Sequence, residues 1–374
     1  MKNFIKACIL CAVLQCSVSS SKAQTNQHNS NGEFYTLDDF KTVSKIDAHV
    51  HINTNALDMV QQAAQDSFRL LTINLDDVNE PPPMEIQQQF ALRQVHAYPT
   101  RISYATSFSI RHFNDTGWLH QQLVYLKNSF AQGAIAVKVY KVIGMSLKDK
   151  NGRFVMIDDP RFDPILNFIE QNNITVIGHL GEPRNCWLPV EQMTIKGDKS
   201  YFTNNPEYHM YLHPEDPSYE DQINARDNMV RKHPHLRFVG AHLGSLEWNV
   251  DSLAKRLDEF PNMAVDMAAR ISHLQYQTAK NWQRVRDFII KYQDRLLYAT
   301  DIDDEATSDQ EDIKQHEHQV HLRDWEYFTT NDTMTVADFD GSFKGLHLPK
   351  QVIDKIYRKN AEKWFPGLFG MKRQ

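Results

Sequence analysis

Short apolar runs alternate with longer amphipathic segments from residue 37 onward. The apolar runs predict eight β-strands, at residues 45–51, 69–75, 102–108, 134–140, 174–179, 236–242, 263–267 and 296–301. Between them, apolar residues recur at three- and four-residue spacing and predict helices, most clearly over 163–172, 221–233, 246–260, 278–292 and 350–364. Eight strands separated by helices favour an α/β fold of the closed (β/α)8 type, a TIM barrel, over an open sheet.

Two connections are long for such a barrel, at residues 180–220 and 302–349. The loops that follow the strands build the active face of this fold, so both segments are candidate lids. No internal repeat and no second domain of convincing size is apparent. Residues 37–374 are therefore expected to form one domain.

The N-terminus has the pattern of a targeting segment. A basic start, a short apolar run and a stretch of small polar residues predict a signal peptide at residues 1–23, with Gln24 as the mature N-terminus. Residues 24–36 are polar and read as a linker. The mature chain is then exported, periplasmic or secreted, and has no transmembrane segment once the signal is removed. Lipid anchoring at Cys16 fits less well, because Gln15 stands where a small residue is normally required.

Charge and cysteine content exclude some classes of partner and site. The net charge of -6 and the pI near 6.3 give no basic field for nucleic acid, and no Lys/Arg-rich run replaces one. Three of the four cysteines lie in the predicted signal, which leaves Cys186 alone in the mature chain. No intramolecular disulfide can form there, and the local sequence of Cys186 favours a packed thiol over a nucleophile.

The chain has 17 histidines, and His-x-His spacing occurs three times: His49/His51, His233/His235 and His316/His318. Chance alone accounts for roughly one such pair in this composition, so only context is informative. His49 and His51 end a predicted strand, where a period of two places both imidazoles on one face. The pair around Pro234 is expected in an exposed turn. The third pair belongs to a polar run, for which a solvated loop helix is favoured over a second metal site.

Metal-ligating residue types recur at the ends of three further predicted strands. His179 ends the fifth strand, His242 the sixth and Asp301 the eighth. For each residue alone, a polar side chain leaving a strand is an equally good explanation. Together with His49 and His51 they indicate a metal site, because chemistry is done at this end of the barrel.

These positions resemble the amidohydrolase superfamily. The segments Gly178-His179-Leu180-Gly181-Glu182-Pro183 and Gly240-Ala241-His242-Leu243-Gly244, and the ending Tyr357-Arg358-Lys359-Asn360-Ala361, are similar to its amidohydrolase-related branch over roughly residues 45–368. That branch contains hydrolases and decarboxylases. The resemblance implies His49, His51, His179 and Asp301 as ligands of a divalent metal, with zinc as the expected ion. It implies His242 as a second-metal ligand or a catalytic base.

Lys138 lies on the fourth strand, where some relatives carry a carboxylated lysine that bridges two metals. Three roles stay open for it: a bridging carbamate, a group that orients substrate or supports a metal ligand, and a structural ion pair. One metal is favoured over two. Glu182 and Arg184 follow the fifth strand and Arg270 follows the seventh, so a polar pocket able to bind an anion is expected, although each could be a solvated loop charge.

The resulting hypothesis is that residues 37–374 are the catalytic domain of a metal-dependent hydrolase. It would cleave a C–N or C–O bond next to a carbonyl in a small-molecule amide, lactone or ester. Asp301 would handle the proton and His242 would assist. The alternative is a metal-dependent decarboxylase of a small carboxylic acid, and a third class is a metal-binding barrel without turnover. The chain is also compatible with a homo-oligomer.

Overall fold

Nine parallel strands form one continuous sheet in the described part of the chain. The computed structural model describes residues 33–77 and 82–370. The predicted signal peptide and residues 24–32 of the predicted linker lie outside this range. The strands are β1 (Lys45–Asn53), β2 (Phe68–Ile73), β3 (Ile102–Ser107), β4 (Ala136–Val139), β5 (Thr175–Gly178), β6 (Phe238–Gly240), β7 (Met263–Asp266), β8 (Leu296–Leu297) and β9 (Ile302–Glu305).

The sheet closes through two short strands: β8 covers the start of the predicted eighth strand, and β9 follows directly after its predicted end, in the segment expected to be a connection. The strand order is β8-β7-β6-β5-β4-β3-β2-β1-β9, so β8 pairs with β7 and β9 pairs with β1. Between β8 and β9, Asp301 takes a left-handed conformation with φ of 70°. The amide of Asp301 still donates to the carbonyl of His49 at 2.8 Å. The two edges of the sheet therefore meet, which confirms the predicted TIM barrel.

Helices separate the strands as the apolar periodicity predicts. They are α1 (Asp58–Gln65), α2 (Met84–Ala97), α3 (Trp118–Ala131), α4 (Val142–Met145), α5 (Asp163–Gln171), α6 (Lys196–Asn204), α7 (Tyr219–Lys232), α8 (Ala241–Gly244), α9 (Val250–Glu259), α10 (Ile271–Lys280), α11 (Trp282–Lys291), α12 (Gln310–Thr329), α13 (Lys350–Asp354) and α14 (Asn360–Trp364). A π turn at Lys355–Lys359 joins α13 to α14. None of the helices described is long and apolar enough to cross a membrane.

The predicted helix at 278–292 differs from the structure, which has two helices there. Asn281 separates them with an extended backbone, and its side-chain oxygen accepts from the amide of Arg284 at 3.1 Å. This oxygen caps the N-terminus of α11 and satisfies a donor that would otherwise lack a partner. The apolar period continues across the break, so the sequence pattern alone does not show it.

The barrel interior is filled by small and branched side chains, and one end is closed by the C-terminal segment. Ala48, Ala105 and Ala264 lie in the same buried cluster as Trp364 and Phe369. The carbonyl of Trp364 accepts from the first residue of β5, and the amide of Phe369 donates to Ser103 on β3 at 2.7 Å. The N-terminal end of the barrel is thereby covered, which leaves the opposite end for a site.

The two long connections have different structures. Residues 180–220 hold α6 and several short 3-10 turns on the active side of the barrel. Residues 302–349 are not a loop lid, because they contain β9, the 20-residue helix α12 and an antiparallel hairpin of β10 (Thr333–Met334) and β11 (Phe343–Lys344). Helix α12 packs against α1. His318 on α12 hydrogen-bonds Asp66 at 2.8 Å, so the predicted solvated helix is in fact partly buried.

One further histidine departs from expectation. His233 was expected in an exposed turn but is buried, with its Nε2 atom 3.4 Å from Asp163. His235, two residues later, is exposed as expected. The helix stop at Pro234 therefore turns one imidazole inward, and neither residue lies at the active end of the barrel strands.

Candidate metal centre

Strand β1 brings His49 and His51 to the open end of the barrel. Both side chains are buried, and their ring centroids are 5.2 Å apart. Asp47, two residues before His49 on the same strand, holds this end of β1 in place through hydrogen bonds. Its Oδ1 atom accepts from the amides of His49 at 3.2 Å and Thr300 at 3.1 Å, and its Oδ2 atom accepts from the Thr300 hydroxyl at 2.6 Å. Asp47 thus ties β1 to the segment that carries Asp301.

The two imidazoles are held in one tautomer by acceptors behind them. His49 Nδ1 donates to Asp266 Oδ2 at 2.9 Å, and His51 Nδ1 donates to the carbonyl of Ile73 at 2.7 Å. Both partners act as acceptors, so each ring carries a proton on Nδ1. The Nε2 atom of each ring then faces the site. This arrangement is the usual support for metal-binding histidines. Burial opposes protonation of His51, but the hydrogen bond to Asp301 raises its pKa above the usual value.

Asp301 completes this group from the segment between β8 and β9. Its Oδ1 atom lies 3.2 Å from His49 Nε2 and 3.5 Å from His51 Nε2. Burial alone would raise the pKa of Asp301, but the neighbouring imidazoles, His242 first, hold it well below its usual range. Imidazole nitrogens and a carboxylate oxygen grouped in a buried site are the ligand types of a divalent metal such as zinc. The donor set therefore fits a divalent cation.

His242 lies in α8, a single turn after β6 whose backbone is left-handed from His242 onward and is therefore not a regular helix. Its φ is 59°, and Leu243, Gly244 and Ser245 are also left-handed. A Cβ atom on Gly240 would lie 2.9 Å from the Cα of Gly244, so this tight turn needs glycine there. Such backbone strain is common where a side chain is held for function.

His242 supports His179 in the same way as Asp266 supports His49. His242 Nδ1 donates to the carbonyl of Ala268 at 2.9 Å, and its Nε2 lies 3.2 Å from His179 Nδ1. His179 Nδ1–H is then the donor, and His179 Nε2 is buried without a hydrogen bond among the described residues, with Glu182 Oε2 at 3.8 Å. Burial lowers the pKa of His179 to about 4 and the pKa of His242 well below its usual value, so both rings are neutral. The orphaned Nε2 is a second observation that fits a metal.

The ligand atoms do not all converge on one point. Among the described residues, only His49, His242 and Asp301 offer three ligand atoms within 4.8 Å of one another. His51 reaches this trio through Asp301, and His179 reaches it through His242. The structure thus brings all five residues into one connected site. The assignment of His49, His51, His179 and Asp301 as the ligands stays a prediction.

Lys138 enters the site from β4. Its Nζ atom lies 2.9 Å from His49 Nε2, and its side chain is buried. Burial lowers its pKa to about 8, against the opposing charges of Asp301 and Asp266. A lysine with such a pKa can lose its proton near neutral pH and free the Nε2 atom for a metal. The three roles left open for Lys138, a bridging carbamate, orientation of substrate or support of a ligand, and a structural ion pair, stay predictions.

Two of the charged residues expected near the centre, Glu182 and Arg184, are held by contacts within the protein. Glu182 is buried and pairs with Lys141, whose charge outweighs burial and holds the pKa of Glu182 well below its usual range. Arg184 is half-buried and lies over the Trp248 ring at 4.1 Å, with its backbone amide bonded to Glu247 at 2.9 Å. Glu182 and Arg184, in the loop that follows β5, are therefore held in place by these contacts.

Arg270 and its surroundings lie close to His242. The Arg270 Nε atom is buried and has no partner in the described chain, and its positive charge contributes to the low pKa of His242, after burial and His179. Its charge also acts on Asp198, which lies 3.3 Å from His273. Arg270 can thus receive an anionic group from the site.

Sequence reasoning missed Asp266 and Glu247. Asp266 supports both His49 and His242, since its Oδ1 atom accepts from the amide of His242 at 2.9 Å. A signal for it existed, because β7 also ends in an acidic residue. Glu247 follows β6 in a loop, and nothing in its local sequence distinguishes it from a surface charge.

The fold and site define a TIM barrel with a metal-type cluster at the open end of its strands. The sequence matches the amidohydrolase family (Amidohydro_2) over residues 46–367, and the chain belongs to this family. The family is metal-dependent, and its members include enzymes of more than one reaction type. No curated protein matches the chain.

Several solved structures resemble the chain at low identity. A 2,6-dihydroxybenzoate decarboxylase from Rhizobium is 14% identical, with 86% of this chain and 98% of that chain covered and a TM-score of 0.48. A structure described as an amidohydrolase II is 15% identical, with 86% and 99% covered and a TM-score of 0.49. A 4-oxalomesaconate hydratase from Rhodopseudomonas palustris is 11% identical, with 86% and 95% covered and a TM-score of 0.45. Membership of the family rests on the sequence match, not on these similarities.

Proposed function

We propose that this protein is a metal-dependent hydrolase that cleaves a C–N or C–O bond next to a carbonyl in a small anionic molecule. The observation that carries the proposal is the buried group in which Asp301 Oδ1 lies 3.2 Å from His49 Nε2 and 3.5 Å from His51 Nε2. We assign one zinc ion to His49, His51, His179 and Asp301, because three imidazoles and a carboxylate are a ligand set that zinc takes. The exported location predicted from the N-terminus is part of this proposal.

Each proposed imidazole ligand turns its Nε2 atom toward the site, and its Nδ1 atom is held by a hydrogen bond on the other side of the ring. The acceptors are Asp266 for His49, the carbonyl of Ile73 for His51 and His242 for His179. This common pattern supports His179 as the ligand and gives His242 a positioning role. His242 belongs to the compact trio with His49 and Asp301, while its Nδ1 atom donates to the carbonyl of Ala268.

When bound, a divalent metal would polarise the substrate carbonyl and make water acidic enough to attack at neutral pH. Asp301 would accept the proton of the attacking water, since its low pKa keeps it as a carboxylate. The same carboxyl group would then return that proton to the leaving nitrogen or oxygen. Arg270, beside His242, would bind an anionic group of the substrate and orient it.

We place hydrolysis first because Asp301 lies beside His49 and His51, where it can take the proton of a metal-activated water and return it to the leaving group. Decarboxylation would use the same residues, with Asp301 or His242 supplying a proton to the carbon that carbon dioxide leaves. Arg270 is the observation that keeps decarboxylation as the second candidate, because its guanidinium group fits a substrate carboxylate.

The test combines metal analysis with a substrate screen of the purified protein. Lactones, N-acyl compounds and aromatic carboxylates are assayed for hydrolysis, and carbon dioxide is monitored in parallel. We expect one metal per chain and hydrolysis without carbon dioxide. Release of carbon dioxide would identify a decarboxylase, and bound metal without any turnover would identify a binding protein.

Asp301→Asn tests the role of the carboxylate within the same assay. The amide keeps the size and one ligating oxygen but cannot carry the proton. Metal should remain largely bound while the rate falls by roughly two to four orders of magnitude, the usual range for general acid-base catalysis. An unchanged rate with metal bound would remove Asp301 from the chemistry.

A further inference from the structure

A second cluster of buried polar groups lies outside the metal centre, between α12, α1 and the strand β9. We call it the α12 chamber and define it by Asp66, Asp304, Gln310, Glu317 and His321. Asp66, Asp304, Glu317 and His321 each have a side chain that is fully shielded from solvent. Asp66 caps the C-terminus of α1, Asp304 lies on β9, and the other three residues lie on α12.

The chamber is rich in hydrogen-bond acceptors that have no donor. Both oxygens of Glu317, Asp66 Oδ1, Asp304 Oδ2 and Gln310 Oε1 are buried without a hydrogen-bond partner among the described residues. His321 Nδ1 is also unpartnered, while its Nε2 atom bonds Asp47 at 3.2 Å. Buried polar atoms are nearly always paired, so a group of this kind needs an explanation.

Two carboxylates of the chamber, those of Glu317 and Asp304, interact only with acidic charges. The charges that act on Glu317 are those of Asp47, Asp66 and Asp304, and those that act on Asp304 are Asp58 and Glu305. Asp66 differs, because it interacts with the charge of Lys45 and its Oδ2 atom lies 2.8 Å from His318 Nδ1. Lys45 donates to the carbonyls of Phe40 and Val43, and Lys314 pairs with Glu311 at 2.7 Å on the helix surface.

Protonation of Glu317 would remove one charge but would not satisfy the chamber. A neutral carboxyl group supplies a single O–H donor, whereas the unpartnered acceptors sit on four different side chains. Asp304 would keep an unpaired oxygen beside Gln310, and Asp66 would keep one beside His318. A cation with bound water molecules supplies both positive charge and several donors at once.

We propose that the α12 chamber binds one hydrated divalent cation of the oxygen-preferring class, Mg²⁺ or Ca²⁺. The donor set is carboxylate and amide oxygen, which such ions prefer. In the described chain, these oxygens do not approach one another as closely as the His49 trio does. The ion is therefore held largely through its own water molecules, which is usual for Mg²⁺.

Binding at this site links α12 and α1 to the barrel wall. Asp66 lies at the end of α1, Asp304 on β9 and Glu317 on α12. One cation would therefore neutralise negative charge from three elements. The bound ion stabilises the folded state and not the unfolded chain, so the melting temperature rises with its concentration. This site is independent of the hydrolase assignment, since it uses none of the proposed zinc ligands.

The test is thermal unfolding and calorimetric titration of metal-stripped full-length protein with MgCl₂ and CaCl₂. The wild type and a His49→Ala/His51→Ala variant should both bind one ion and gain melting temperature. Glu317→Gln should lose most of this response, with affinity reduced by roughly tenfold or more, because cation affinity follows the number of charged ligands. Glu311→Gln, on the exposed face of the same helix, should respond as the wild type does.

Two outcomes would overturn the proposal. One is a wild type whose melting temperature and heat signal do not change up to about 10 mM of either ion, above the range of weak calcium sites. The other is a Glu317→Gln variant with the full response. Should Glu317→Gln fail to fold, Asp304→Asn carries the same expectation, and a full response in that variant would equally refute the site.

Discussion

Asp266→Asn is the substitution that best separates positioning from ligation in the metal centre. Asp266 Oδ1 accepts from the amide of His242 at 2.9 Å, and Oδ2 accepts from His49 Nδ1 at 2.9 Å. With asparagine, the oxygen can keep the backbone bond, and the NH₂ group then faces His49. The imidazole must turn its lone pair toward that NH₂ group, which places its proton on Nε2, where the metal is expected. The fold should survive, because the side chain keeps its size.

The expected loss follows from the number of ligands affected. Only His49 is put in the wrong tautomer, and loss of such a supporting group typically costs about 10- to 100-fold in metal affinity. That range corresponds to about 1.4 to 2.7 kcal/mol. Competition with a chromophoric chelator measures the dissociation constant, and a thermal melt checks the fold. Asp312→Asn on the surface of α12 is the matched control. Wild-type affinity in Asp266→Asn would refute the tautomer argument.

Three more predictions concern the proposed ligands, the lysine and the N-terminus. His49→Ala/His51→Ala should abolish zinc binding and turnover, whereas the surface change His316→Ala should leave metal content unchanged, and metal analysis decides both. Lys138→Ala should lower activity but keep one metal, with no rescue by a short carboxylic acid; two metals in the wild type and one in the variant would show a carbamate bridge instead. N-terminal sequencing of the exported protein should begin near Gln24, and an intact Met1 or a lipid on Cys16 would contradict the signal-peptide prediction.

The strand ends were the informative part of the sequence. His49, His179, His242 and Asp301 each follow an apolar run, and all four lie at the open end of the barrel. Parallel strands of a closed barrel point the same way, so residues at their ends must meet. The prediction of a metal cluster therefore needed only the strand positions and the residue types.

The roles within that cluster could not be read in the same way. His179 and His242 have similar sequence contexts, yet one has a free Nε2 atom and the other supports it from behind. The difference arises from the carbonyl of Ala268, which lies two residues beyond the end of β7. No spacing along the chain reports which acceptor an imidazole will find across the barrel.

The sequence by itself determined the barrel, the family and the residue types at the active end. The spacing of apolar residues and the residue types at strand ends can be read from short stretches of sequence. The spacing is regular because each strand must bury one set of side chains. Only the tertiary structure decided that Asp266 holds two parts of the centre, that Arg270 approaches His242, and that Glu317 is buried among acidic groups. These contacts join residues far apart in the chain. The energies of these contacts depend on distance and burial in three dimensions, and the order of residues along the chain specifies neither.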